Sequence, residues 1–291
     1  MKSNWSIPKR FLRLTLYEGQ KDSKVLNRLT EDMSVKFNTS ESVSGALNEA
    51  NIVLSGLQVK KMFYLATSTT QWIKNWRPNR IVIEAGYENR QGIVFDGSVI
   101  KGTPNLESAD YSITLKAMSL FSDLTEPRSY SYEGQVPVRQ IAKSLADDLG
   151  LKLVDGLKDD TIMVSNYNLR NQNSVSGLRQ LAQMTGLEIY SSKGRLYVKR
   201  PGENIPSGKI ITLTSKDIIG VPQPTETGVI INVRLNSSIV SGQIVKVDSL
   251  KYTQLKSYEF FVSTLSHSAD TRGNDWYTRL NLTKTGLGFY K

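Results

Sequence analysis

"LSHSADTRGNDWYTRLNL", residues 265–282, carries the only histidine of a 291-residue chain, with Asp270, Arg272, Asp275 and Trp276 close to it. An imidazole among carboxylates is the raw material of acid–base catalysis. The same residues between two alternating runs are the turn of a β-hairpin. The flanks decide between them. Upstream, "EFFVSTLSHS" (259–268) sets Phe260, Val262 and Thr264 against Phe261, Ser263 and Leu265. Downstream, "DWYTRLNL" (275–282) puts Trp276, Thr278 and Leu280 on one face and Tyr277, Arg279 and Asn281 on the other. The stretch therefore reads as strand, turn, strand. Asp270 and Asn274 suit side-chain bonds to the turn backbone, Gly273 suits a positive φ, and His267 at the strand end suits a half-buried, hydrogen-bonded imidazole. Trp276 is the large inward side chain. His267, Asp270, Gly273 and Trp276 are thus assigned to a structural hairpin, with no catalytic residue.

Composition narrows the chemistry further. The chain has no cysteine and one histidine, which removes disulfides, thiolate nucleophiles and the multi-histidine or cysteine zinc sites. Neither a metal nor a cofactor is expected. The adjacent carboxylates Glu31–Asp32, Asp147–Asp148 and Asp159–Asp160 point apart on any regular element, so they form no acid–base pair. "GSVIKGTP" (97–104) has the glycine spacing of a phosphate loop but lacks its lysine, and "DTRGND" (270–275) lacks the alternating acids of a calcium loop. Net charge is +10. The first 30 residues hold Lys2, Lys9, Arg10, Arg13, Lys21, Lys24 and Arg28 against Glu18 and Asp22, an excess that favours an acidic partner. The N-terminal apolar residues are interrupted by Arg10 and Arg13, so no signal-peptide core is expected, nor does any apolar run reach the ~20 residues of a membrane span.

Along the chain the dominant pattern is β. "MSVKFNTS", "NIVLSGLQV", "RIVIEAGYEN", "GIVFDGSVIKG" and "YSITLKAMSL" are short β-branched runs cut by Gly, Asn and Ser. Among them, "VKKMFYLATSTTQWIKNW" (59–76) reads as a short helix plus loop ending at Pro78, with Met62, Phe63, Leu65, Trp72, Ile73 and Trp76 as its bulky residues. From about residue 130 the period changes. Val138, Ile141, Ala142, Leu145 and Leu149 recur at helical spacing before Gly150, and Val175, Leu178, Leu181 and Ala182 do so before Gly186. Lys193-Gly194 then marks a hairpin turn. Beyond the Pro- and Gly-rich "PGENIPSGK" (201–209), five strand patterns follow. The expected fold is mainly β, α+β overall: two small β-barrel domains, 1–128 and 205–291, flanking a small α+β insert domain, 129–204.

The order of these pieces resembles a known family. "NEANIVLSGL" (48–57), "RIVIEAGYENRQGIVFDGSV" (80–99) and "DYSITLKAMS" (110–119) are similar to the first domain of bacteriophage baseplate hub proteins, the tail hub family with two tube-like β-barrel domains. "SKDIIGVPQPTETGVIINVRLNSSIVSGQIVKVDS" (215–249) and the His-x-x-Asp-x-x-Gly-x-x-Trp hairpin look like its last domain. The resemblance implies a structural protein, not an enzyme: a virion component made in the host cytoplasm, whose homotrimer adapts a sixfold tail tube to a threefold central spike. Two barrels in each of three chains match a hexameric ring. The implied partners are the tube, spike and tape-measure proteins, with DNA only passing through the channel and no membrane insertion. The alternative is an OB-like single-stranded nucleic-acid binding protein, whose basic and aromatic strands would be "LYVKR" (196–200) and "LKYTQLKSYEFF" (250–261), with Tyr197 and Tyr252 as stacking platforms.

Overall fold

The computed structural model describes residues 8–19, 24–30, 32–44, 47–67, 78–107, 110–120, 127–157, 162–205, 208–248, 253–256 and 258–285. In the N-terminal region the strands are β1 (Arg10–Tyr17), β2 (Val25–Thr30), β3 (Ser34–Ser42), β4 (Glu49–Ser55), β5 (Arg80–Tyr87), β6 (Arg90–Asn105) and β7 (Ser112–Met118). Helix α1 (Val59–Thr67) follows β4 and seats Met62 and Leu65. Trp72, Ile73 and Trp76 lie outside the described residues. β1 and β2 are absent from the strands anticipated from sequence. Yet "RFLRLTLY" alternates clearly enough that Leu12, Leu14 and Leu16 are fully buried. The Gly-x4-Gly of 97–104 lies within β6 and is extended strand.

The middle region holds β8 (Arg128–Ser131), β9 (Gln135–Pro137), α2 (Val138–Asp148), β10 (Lys152–Asp155), β11 (Met163–Ser165), β12 (Asn168–Gln172), α3 (Ser174–Thr185), β13 (Glu188–Ser192) and β14 (Arg195–Lys199). Both helices stop where a glycine was expected to stop them, with Gly150 at φ 62° and Gly186 at φ 66°. Asn173 caps α3 by accepting from the Ser176 N–H at 2.8 Å. Lys193 and Gly194 both take positive φ, 48° and 73°, as the two-residue turn of the β13–β14 hairpin. The helices and strands enclose a core of their own, built on Val138, Ile141, Leu145, Tyr167, Leu178 and Leu196.

The C-terminal region contains β15 (Ile211–Thr214), β16 (Ile218–Pro224), β17 (Gly228–Arg234), β18 (Ile244–Asp248), β19 (Glu259–Asp270) and β20 (Trp276–Lys284). The mainly-β expectation holds. No closed barrel is made by the backbone ladders of the described residues. Instead the N- and C-terminal strands share one sheet in the order β16-β17-β20-β19-β3-β4-β7-β6-β5-β1-β2, with β18 joined to β19 and β15 to β18.

The join is made by β19, whose twelve residues outrun β18. Its base pairs with β18 through Glu259–Phe261, and its far half pairs antiparallel with β3, from Thr264 opposite Ser42 to Asp270 opposite Lys36. Between the two partners the register against β20 shifts, leaving Ser263 as the inserted residue of a bulge. This corrects the simple alternation read from the sequence. Val262 and Leu265 are both buried because the extra residue reverses the phase between them.

Candidate functional site

The hairpin that the sequence singled out lies at this join. The structure brings His267, Asp270, Gly273 and Trp276 to one end of β19–β20, and three of the four behave differently from expectation in detail. His267 is not at the strand end. β19 continues to Asp270, and the imidazole is fully buried rather than half-buried. Its Nδ1 lies 2.8 Å from Thr278 Oγ1, and its backbone N–H donates to Thr39 Oγ1 on β3 at 3.1 Å. Nε2 meets no hydrogen-bond partner among the described residues. Burial, with a smaller push from the Lys193 ammonium, drives its pKa from 6.5 down to about 3, so the ring is neutral at physiological pH. A ring sealed from solvent has no route to a substrate.

Asp270 performs the turn role expected of it. Its Oδ1 accepts from the N–H groups of Arg272 and Gly273, both at 2.9 Å. Gly273 does not take a positive φ. The reason for glycine is space: a Cβ there would lie 2.8 Å from Asp270 Oδ2. The Arg10 guanidinium of β1 closes the turn from outside, donating to the Gly273 carbonyl at 2.8 Å and lying 5.1 Å from the centre of the Trp276 ring. Trp276 faces inward as expected, but the core it enters belongs mostly to the N-terminal strands. It joins the cluster that includes Leu12, Leu14, Ile83 and Ala85, and its Nε1 donates to the Gly86 carbonyl at 3.1 Å. Thr271 Oγ1 adds bonds to the backbone of Met33 and Val35 beside β3.

Sequence reasoning missed a second buried polar set behind the join. Glu41 of β3 is 5% exposed, and its Oε1 accepts the Ser241 N–H at 2.8 Å. Lys193, at the β13–β14 turn, donates to the carbonyls of Ser237 and Ile239. Burial lowers its pKa, against a smaller opposing pull from Glu41. Lys199 ion-pairs with Glu188 and lies 4.4 Å from the centre of the Phe261 ring. Burial is the main influence on both members of that pair, lowering the lysine and raising the carboxylate, and their mutual attraction opposes it. "LYVKR" held a signal of this arrangement, since Tyr197 and Lys199 point inward together. Tyr197 is 4% exposed and stacks on Tyr190 with ring centres 5.3 Å apart. Neither tyrosine is a platform for a nucleic-acid base; Tyr252, the other platform proposed, lies outside the described residues.

The opposite face of the shared sheet is polar and partly solvated. Ladder partners place Arg234, Tyr277, Ser268, Asn38, Asn51 and Lys116 in one row across β17, β20, β19, β3, β4 and β7. Asp148 accepts from Tyr130 and Ser174, while Asp147 is exposed, so this carboxylate pair diverges. Glu31, Asp159 and Asp160 lie outside the described residues. Among the described residues no group of three His, Asp or Glu side chains converges as a metal site.

The fold has known counterparts. It is similar to the 43 kDa tail protein of prophage MuSo2 from Shewanella oneidensis, at 12% identity and TM-score 0.60 over 94% of this chain and 97% of that one. It is also similar to a tail protein from Neisseria meningitidis MC58, at 13% identity and TM-score 0.63 over 94% and 96% of the two chains. A third likeness is to an E. coli component of the type VI secretion system described as similar to T4 tail proteins gp27 and gp5. There the identity is 11% and the TM-score 0.58, over 88% of this chain and 74% of that one. No curated protein matches by sequence. Residues 12–282, from the first buried leucine of β1 to the last of β20, match the family described as Baseplate hub gp41. Matched over nearly its whole length, the chain belongs to the baseplate hub gp41 family, structural components of the phage tail.

Proposed function

We propose that this protein acts as a trimeric baseplate hub, a ring that adapts the sixfold tail tube to the threefold central spike. The observation that carries this reading is the β19–β3 join. It sets two β regions side by side in one sheet, so a single chain presents two strand modules, and three such chains supply six. In this reading residues 1–128 and 205–291 are the two ring modules and residues 129–204 form an outer domain. The tube, spike and tape-measure proteins are the partners, and the solvated face bearing Lys36, Lys116, Arg234 and Arg279 turns toward the channel. DNA touches that face only in passage. The role is mechanical: a sheet held by paired edges and buried side chains transmits load between tube and spike without a chemical step.

Mass measurement of the purified protein, alone and with its tail neighbours, tests the reading, together with class averages of assembled particles. Threefold rings are expected. A strict dimer in every condition, particles included, would overturn it.

A further inference from the structure

We propose that the middle region, residues 128–200, is a detachable module whose docking on the shared sheet is reversible, the region undocking with its own core intact. This inference is independent of the hub assignment and rests on three observations. First, the module needs nothing from the sheet to fill its core. The fully and nearly buried side chains around Ile141, Leu145, Leu178 and Leu196 all come from residues 136–198, with Leu47 and Leu120 only packed at the margin.

Second, the surface by which it docks is poorly satisfied. Besides Leu47 and Leu120 at the margin, the apolar contact centres on Tyr190 and Tyr197 of the β13–β14 hairpin, clustered with Val43, Ile205, Val240 and Phe261. Around it, Asn48 Nδ2 donates to the Ser191 carbonyl at 3.1 Å and Tyr190 Oη donates to the Ser241 carbonyl at 2.9 Å. At the same place Asn48 Oδ1, Ser192 Oγ and Ser241 Oγ are buried with no hydrogen-bond partner among the described residues. Each such atom favours the opened state, in which water would satisfy it. The Lys193 ammonium, desolvated under the Ser237 and Ile239 carbonyls, also regains water on opening.

Third, the two bodies do not meet along the whole of this line. A cleft of about 430 Å³ runs between the two bodies, bounded by Thr39, Glu41 and Gly97 on the sheet side and by Gly150, Ser192 and Gly194 on the module side. A docking surface bordered by an open cleft, with unpaired polar atoms and a self-sufficient body on one side, opens at a lower free energy than either core unfolds.

The absence of cysteine makes this directly measurable, because an introduced thiol is the only one in the chain. Ser192→Cys and Ser241→Cys place it at the docking surface, at 1% and 0% exposure. Ala142→Cys and Ala50→Cys place it in the cores of the module and of the N-terminal sheet, both at 0%. In the full chain under native conditions, the first two are expected to react with a thiol reagent at least about tenfold faster than the last two. One common rate at all four sites overturns the proposal. So does a fast Ala142→Cys, which would mean that the module melts rather than detaches. Should a variant fold poorly, hydroxyl-radical footprinting of the unaltered chain gives the same comparison. Tyr190 and Tyr167 are both 0% exposed, one at the docking surface and one inside the module. Tyr190 is expected to be modified faster, and equal modification overturns the proposal.

Discussion

Trp276 lies on a C-terminal strand, but its indole completes the N-terminal core and bonds to Gly86. Trp276→Ala should therefore cost about 3–5 kcal/mol and loosen the N-terminal strands as well as its own hairpin. A thermal melt measures the loss, and hydrogen exchange in β1 and β5 reports where it falls. A variant that melts like the parent would sink the core assignment. His267 gives a pH prediction. The unfolded chain binds a proton at His267 near 6.5, whereas the folded ring stays neutral until about 3. Its contribution to stability is thus fully present above 6.5 and is lost as pH falls from 6.5 toward 3, by up to about 1.4 kcal/mol per unit. His267→Gln does not titrate, so the drop in Tm between pH 7 and pH 5 should shrink in that variant. An unchanged drop would show that other groups carry the acid sensitivity.

The decisive feature among the elements is the bulge at Ser263, because it lets one strand serve two partners with its apolar side always inward. Deleting Ser263 removes the phase change, so either Phe260 and Val262 or Leu265 and His267 must turn toward solvent. Loss of soluble protein is expected. Ser263→Ala keeps the residue count and removes only the Oγ–H bond to the Asn281 carbonyl, 2.9 Å long and exposed. That should cost under about 1 kcal/mol. Comparing the soluble yield and Tm of the two variants separates register from side chain. If the deletion folds as well as Ser263→Ala, the bulge does not set the register. In the middle region Gly186→Ala places a Cβ at φ 66° and should cost about 1 kcal/mol, read from the denaturation midpoint.

For the whole molecule, the +10 charge and the basic residues of the solvated sheet face predict weak, sequence-independent affinity for DNA. That affinity should largely vanish by physiological ionic strength, as contacts with phosphate alone require. A salt titration by fluorescence anisotropy checks it. Tight single-strand binding at that salt would point to a dedicated nucleic-acid site, which the burial of Tyr197 already argues against.

The sequence by itself determined what repeats locally. The alternation in β20, the helical spacing in α2 and α3, their terminal glycines and the Lys193-Gly194 turn all follow from φ/ψ preferences and from side chains within a few residues of one another. The turn function of Asp270 was legible for the same reason. What tertiary structure alone decided was partnership over distance. The pairing of β19 with β3, the bond from Trp276 to Gly86 and the bond from His267 to Thr39 join residues 190 to 234 positions apart. Gly273 is a local case that φ preference alone did not reveal, since the side chain of Asp270, three residues earlier, and not its own φ, crowds a Cβ there. A strand's alternation says which face is buried, but not which edge will meet it. That choice is made by competition among all the chain's edges and cores at once, and no local period records its outcome.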